Sequence, residues 1–261
     1  MRTALLALCA AACRVYDPVD EVPHREFATT QAAVAALLAD VGHPRVYAVG
    51  EYHPTRDLAG PATPIARFTA DILDLLEPRA RHMVIEAWLD TRCAEPQRDI
   101  DQLVRAGSDH HIATHGLPVT CIEHSAMLDS SGHIDVLRLL ELLTEKLHDT
   151  TRALVDDGLD VIVYGGALHN DLYPHWPLEE LSYAQPLAAE LGGGVVEIDL
   201  VVPEIVAPMA SIRYEPWFPL LARAAPHRTT LWQRGPSSYV LILPALSEAV
   251  AQVARPIPDD D

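Results

Sequence analysis

The sequence predicts an α/β fold of three layers, α/β/α, with a mostly parallel sheet and a C-terminal antiparallel hairpin. Three observations predict it. Short, continuously apolar runs recur along the chain, as in strands buried on both faces. Stretches with apolar residues at helical spacing separate them. Glycines, prolines and capping residues mark the changes from one to the other.

Residues 1–13 stand apart from the rest. Met1-Arg2-Thr3 is a short positive start, and an apolar run over 4–12 leads to Cys13. That run is too short to span a bilayer and fits a secretory h-region. Ala10-Ala11-Ala12-Cys13 resembles a bacterial lipoprotein cleavage site, with Ala10 standing where Leu is usual. The expectation is a signal peptide or lipoprotein leader over 1–13 and a lipid anchor at Cys13. The chain would then sit at the cell envelope, lipid-anchored or periplasmic; without the leader it would be cytoplasmic. Residues 14–28 read as a tether or loop, 29–255 as a single α/β domain and 256–261 as a solvated acidic tail.

Within the domain, Thr30 can cap a helix through Ala33, Leu37 and Leu38, which Gly42 ends. Residues 45–49 form the first buried strand, and 65–76 a helix that stops before Pro78. The second strand is 82–85, followed by a short helix over 99–106. Residues 119–122 read as the third strand, which would bury Cys121 as a small hydrophobe. A long helix covers 134–155 and closes at Gly158. The fourth strand is 160–164, another helix spans 178–191, and the fifth strand is 195–202. Gly192-Gly193-Gly194 precedes that strand and is a helix stop, not a phosphate cradle. Runs at 229–233 and 239–243 have no helix between them, so they pair as the hairpin.

Acidic residues number 37 against 19 basic ones, a formal net charge of −18. Such a surface repels nucleic acid and anionic lipid, leaving a small molecule or a peptide as the expected partner. Membrane contact is expected only through the anchor at Cys13. Besides the leader cysteines there are only Cys93 and Cys121, without metal-type spacing; a disulfide between them stays open.

Ligands of open α/β sheets bind beyond the carboxyl ends of the strands. The first strand ends in Gly50-Glu51-Tyr52-His53, the second in Glu86, the third in Glu123-His124, and the fourth in Gly165-Gly166-Ala167-Leu168-His169; the fifth contains Asp199. Imidazole and carboxylate together suit zinc, manganese, iron or cobalt. A carboxylate or imidazole outside the ligand set can act as general base. Glu51, His53, Glu86 and His169 are therefore the catalytic and metal-ligating candidates. Tyr52, Trp88 and Trp176 can wall a pocket, and Arg56 can meet a substrate carboxylate or oxyanion. The spacing Gly-x-x-His is weak alone, since Gly107 and His110 show it in a loop. Its force comes from two copies placed just after strands.

Val49-Gly50-Glu51-Tyr52-His53, Val84-Ile85-Glu86 and Tyr164-Gly165-Gly166-Ala167-Leu168-His169 resemble the superfamily uniting erythromycin esterases (EreA-like), haem-uptake ChaN-like lipoproteins and Tiki/TraB proteases. The resemblance spans about residues 45–170. It implies an α/β/α fold with Glu51, His53, Glu86 and His169 lining the site, but not one reaction. Tiki-like members are metal-dependent proteases, esterase members open a lactone, and ChaN-like members bind haem.

His110, His111 and His115 form the densest histidine cluster, within a glycine- and proline-flanked segment that reads as a surface loop. No Gly-x-Ser-x-Gly elbow and no His-Glu-x-x-His helix occurs. The expected function is hydrolysis of an ester or amide, with water activated by a divalent metal or directly by histidine. The alternatives are haem or iron capture for uptake, and an inactive envelope protein that keeps the fold.

Overall fold

The computed structural model describes residues 23–53, 63–87, 98–129, 131–209 and 211–246. The leader with Cys13, Arg56, Trp88, Cys93 and the acidic tail lie outside the described residues. Eight strands are described: β1 (His24–Phe27), β2 (Val46–Glu51), β3 (His82–Ile85), β4 (Ala113–Gly116), β5 (Val161–Gly166), β6 (Val195–Val201), β7 (Thr229–Gly235) and β8 (Ser238–Ile242). They form one sheet in the order β1-β7-β8-β6-β2-β5-β3-β4. Pairing is parallel from β8 through β4, and antiparallel for β1 with β7 and β7 with β8.

The helices are α1 (Thr30–Val41), α2 (Pro64–Asp71), α3 (Leu73–Leu76), α4 (Arg98–Asp109), α5 (Cys121–Ala126), α6 (Val136–Asp156), α7 (Ala167–Asn170), α8 (Ala184–Glu190), α9 (Pro203–Val206) and α10 (Phe218–Leu221). Strand alternation sends side chains to two separate apolar layers. Tyr47, Val49, Ile162 and Ile198 pack with residues of α1 to α4. Val46, Ala48, Val161, Val163 and Val195 pack with α6 and α8. These are the three layers expected.

The hairpin is as expected, and Gly42, Gly158 and Gly192 to Gly194 close helices at positive φ. Several boundaries differ. Thr29, not Thr30, caps α1; the helix expected over 65–76 is divided into α2 and α3; and that expected over 178–191 is α8 (Ala184–Glu190) after a 3-10 turn at Glu179–Leu181. Residues 119–122 are not a strand: Thr120 and Glu123 make reciprocal capping-box bonds that start α5, with Cys121 exposed at its first position. Cys121 is disulfide-bonded. Counting from β2, the third strand is instead β4, whose polar, edge-placed sequence carries no apolar run to detect. Finally, the expected tether over 14–28 contributes β1 at its end, paired with β7.

β2 lies between β5 and β6, both parallel to it. The chain leaves β2 toward β3 on one side and later crosses to β6 on the other. Connections that part in opposite directions open a crevice at the carboxyl ends.

Candidate active site

A cavity of about 380 Å³ fills this crevice, and Glu51, Tyr52, His53, Glu86 and His169 all line it. Glu51 ends β2 and is 8% exposed. One of its carboxylate oxygens, Oε2, accepts the Tyr164 hydroxyl; the other, Oε1, stands 3.1 Å from His53 Nδ1. A carboxylate oxygen accepts, so His53 Nδ1 carries the hydrogen and Nε2 keeps its lone pair. Hydrogen bonding to Glu51 raises the His53 pKa, against desolvation.

The second pair comes from β3 and β5. Glu86 Oε2 accepts the backbone N–H of Gly166. His169 sits on α7 and is 2% exposed. Its Nδ1 lies 2.8 Å from the Leu181 carbonyl and 2.9 Å from Thr144 Oγ1. A carbonyl cannot donate, so Nδ1 bears the hydrogen and the lone pair belongs to Nε2. That nitrogen is buried without a hydrogen-bond partner, 3.8 Å from Glu86 Oε1. Two acceptors opposed at this separation call for a donor or a cation between them.

The pairs meet over Gly166. A Cβ built there would stand 3.1 Å from His53 Nε2 and 3.5 Å from Glu86 Oε2. Gly50 and Gly165 are glycines because of close approach, not a sharp turn. A Cβ on Gly50 would lie 2.7 Å from the Ala167 backbone, and one on Gly165 would overlap the Glu86 carboxylate. Among the described residues, no group of three or more His, Cys, Asp or Glu side chains is placed to hold a metal ion.

Other sequence candidates divide. Tyr52 lines the cavity, its ring edge-on to Trp217 at 5.3 Å and its hydroxyl accepting from Trp217 Nε1. Asp199 also lines it. Trp176 is 82% exposed and does not line it. Glu123 caps α5 and pairs with Lys146 at 2.7 Å, which pulls its pKa down to about 2. It and His124 belong to a helix rather than to a strand end. The histidine cluster is dispersed: His110 pairs with Asp74, His111 takes a positive φ, and His115 lies within β4, stacked on His82.

Sequence reasoning missed Tyr164, Thr144, Glu197 and Arg234. One signal was present. Glu197 and Asp199 alternate within the otherwise apolar Val195-Val196-Glu197-Ile198-Asp199-Leu200-Val201, and acids in a fully buried strand demand a reason. Arg234 holds Asp171 at 2.7 Å and reaches Glu197 Oε1 at 3.6 Å. Burial pushes the Glu197 pKa up to about 7 and that of Asp199 well above its ordinary value.

No family model matches the chain, and no curated protein matches it. A solved structure it is similar to is the signal recognition particle receptor FtsY from Elizabethkingia anophelis. Identity is 14% and the TM-score 0.30, over 64% of this chain and 45% of that one. The match thus spans less than half of that receptor, and a likeness this slight carries no functional argument.

Proposed function

We propose that this chain hydrolyses an ester or amide bond, with His53 taking a proton from water. The observation that carries this reading is the Glu51–His53 pair, whose free Nε2 faces the cavity beside Glu86 and His169. A water that donates one hydrogen to the opposed acceptors Glu86 Oε1 and His169 Nε2 keeps its other hydrogen for His53. As that proton moves to Nε2, the water oxygen bonds to the substrate carbonyl carbon. Glu51 stabilises the resulting imidazolium, which then returns the proton to the leaving oxygen or nitrogen. Tyr164 holds Glu51, and Thr144 with the Leu181 carbonyl holds His169. The same residues support kinship with the erythromycin esterase, ChaN-like and Tiki/TraB superfamily. An envelope location through Cys13 accords with the disulfide at Cys121, since such bonds persist in oxidising compartments.

Hydrolysis of 4-nitrophenyl acetate by wild type and His53→Ala tests the proposal. The variant should lose activity by roughly 10²–10⁴-fold; equal rates in the two proteins would refute it. A chelator arm reads the zinc, manganese, iron or cobalt expected from the sequence. Unchanged activity supports chemistry by side chains alone, whereas loss restored by added metal transfers water activation to an ion. A haemin arm completes the set, because a Soret band dependent on His169 without any hydrolysis would favour haem uptake.

A further inference from the structure

The cavity lining is of two kinds. Leu139, Leu143 and Leu178 supply apolar surface, while Asp171, Asp199, Glu215 and Arg234 supply charge. Among the described residues the acids here outnumber the bases: Asp171, Glu197, Asp199 and Glu215 face Arg234, with His175 acting on Glu215. Arg234 gives its contacts to Asp171, the Tyr173 carbonyl and, more distantly, Glu197. Asp199 is 4% exposed, and its Oδ1 has no hydrogen-bond partner. A buried carboxylate oxygen without a hydrogen-bond partner is costly, and the cost falls when the group gains a proton or a further cation.

We infer that Asp199 and Glu215 in the cavity bind a protonated amine, so that the substrate is an ester or amide with a cationic group beside an apolar body. The inference rests on the proposed hydrolysis for the words ester and amide only; the amine site stands on its own geometry. Without an occupant, burial raises the pKa of Asp199 and Glu215, so these groups take up protons that an ammonium would displace. The leucine surface of the same cavity accepts the carbon body that an organic cation carries and a bare metal ion lacks. Tyr52, an aromatic residue of a kind that attracts cations, also lines the cavity.

Titration of the whole chain with cyclohexylammonium, beside cyclohexanol of similar size, reads the inference without requiring turnover. Wild type should bind the ammonium about tenfold or more tightly than the alcohol, an increment expected of one half-buried ion pair. Asp199→Asn should abolish that preference while a thermal melt shows it folded. Glu215→Gln, closer to solvent, should reduce it too and serves if the first variant does not fold. Equal affinity for the two probes in wild type would overturn the inference, as would a preference intact in the folded variants. Binding of calcium or magnesium in place of the ammonium would also overturn it. Ester hydrolysis without amine preference would sink this inference and leave the hydrolase; amine preference without hydrolysis would do the reverse.

Discussion

Hydrogen bonding to Glu51 raises the pKa of His53, and this sets how activity should follow pH. A base must be neutral, so the acid limb of the kcat/KM profile should lie above the ordinary histidine value of 6.5. Glu51→Gln removes the cause; the limb should move to lower pH and the plateau should fall. A limb that stays in place would deny Glu51 its role. The same shift has a stability sign: a raised histidine pKa stabilises the fold below the unfolded value, and that contribution is lost as pH rises through the folded one. Glu197 behaves likewise. Its carboxyl is raised by burial to about 7, so the folded state holds a proton that the unfolded state releases near 4.5. Stability should therefore decline between those values, by on the order of 3 kcal/mol. Urea melts at pH 5 and pH 8 should show a smaller decline in Glu197→Gln than in wild type. Glu51, His53, Glu86 and His169 were legible because each follows an apolar run and belongs to a type with little business in a core. Tyr164 and Thr144 were not, since their roles arise from partners 113 and 25 residues away in the chain.

The glycines act between elements. α7 crosses β2 at Gly50, where a Cβ would drive into the Ala167 backbone, and Glu86 lies against Gly165. Gly50→Ala should thus cost about 1–3 kcal/mol by forcing backbone apart, measured as a lower urea midpoint at unchanged slope. Gly165→Ala meets the Glu86 carboxylate and also Glu86 Cβ at 2.9 Å, which no rotamer removes. It should cost stability as well as displace Glu86 and lower ester hydrolysis; normal activity would show that Glu86 is not needed where it stands. Elements with unmixed periodicity were readable: α6, β2, β5 and β6 fall within two residues of expectation. The stretch at 119–122 misled because two apolar residues around Cys121 outweighed a capping signal at Thr120 and Glu123. β4 and β1 are short edge strands with no fully buried residue, so neither carries an apolar run.

At the scale of the molecule, a parallel sheet whose connections part at β2 makes one crevice out of four strand ends. The class of fold was legible because burial on both faces leaves continuous apolar strands, whereas the convergence of β2, β3, β5 and β6 depends on strand order, which no local pattern encodes. The excess of acid, −18 overall, reaches into the cavity itself through Asp171, Asp199 and Glu215. The leader reading belongs to this scale as well: mass spectrometry of the mature protein should find a diacylglyceryl group on Cys13, and an unmodified chain starting at Met1 would reject it. The central claim is that histidines 116 residues apart in the chain act on one water. A double-mutant cycle on 4-nitrophenyl acetate measures this as kcat/KM for wild type, His53→Ala, His169→Ala and the double variant. Groups serving one transition state are strongly non-additive, so each single change should remove nearly all activity and the double change little more. Independent, multiplying losses, or full activity in either single variant, would contradict it.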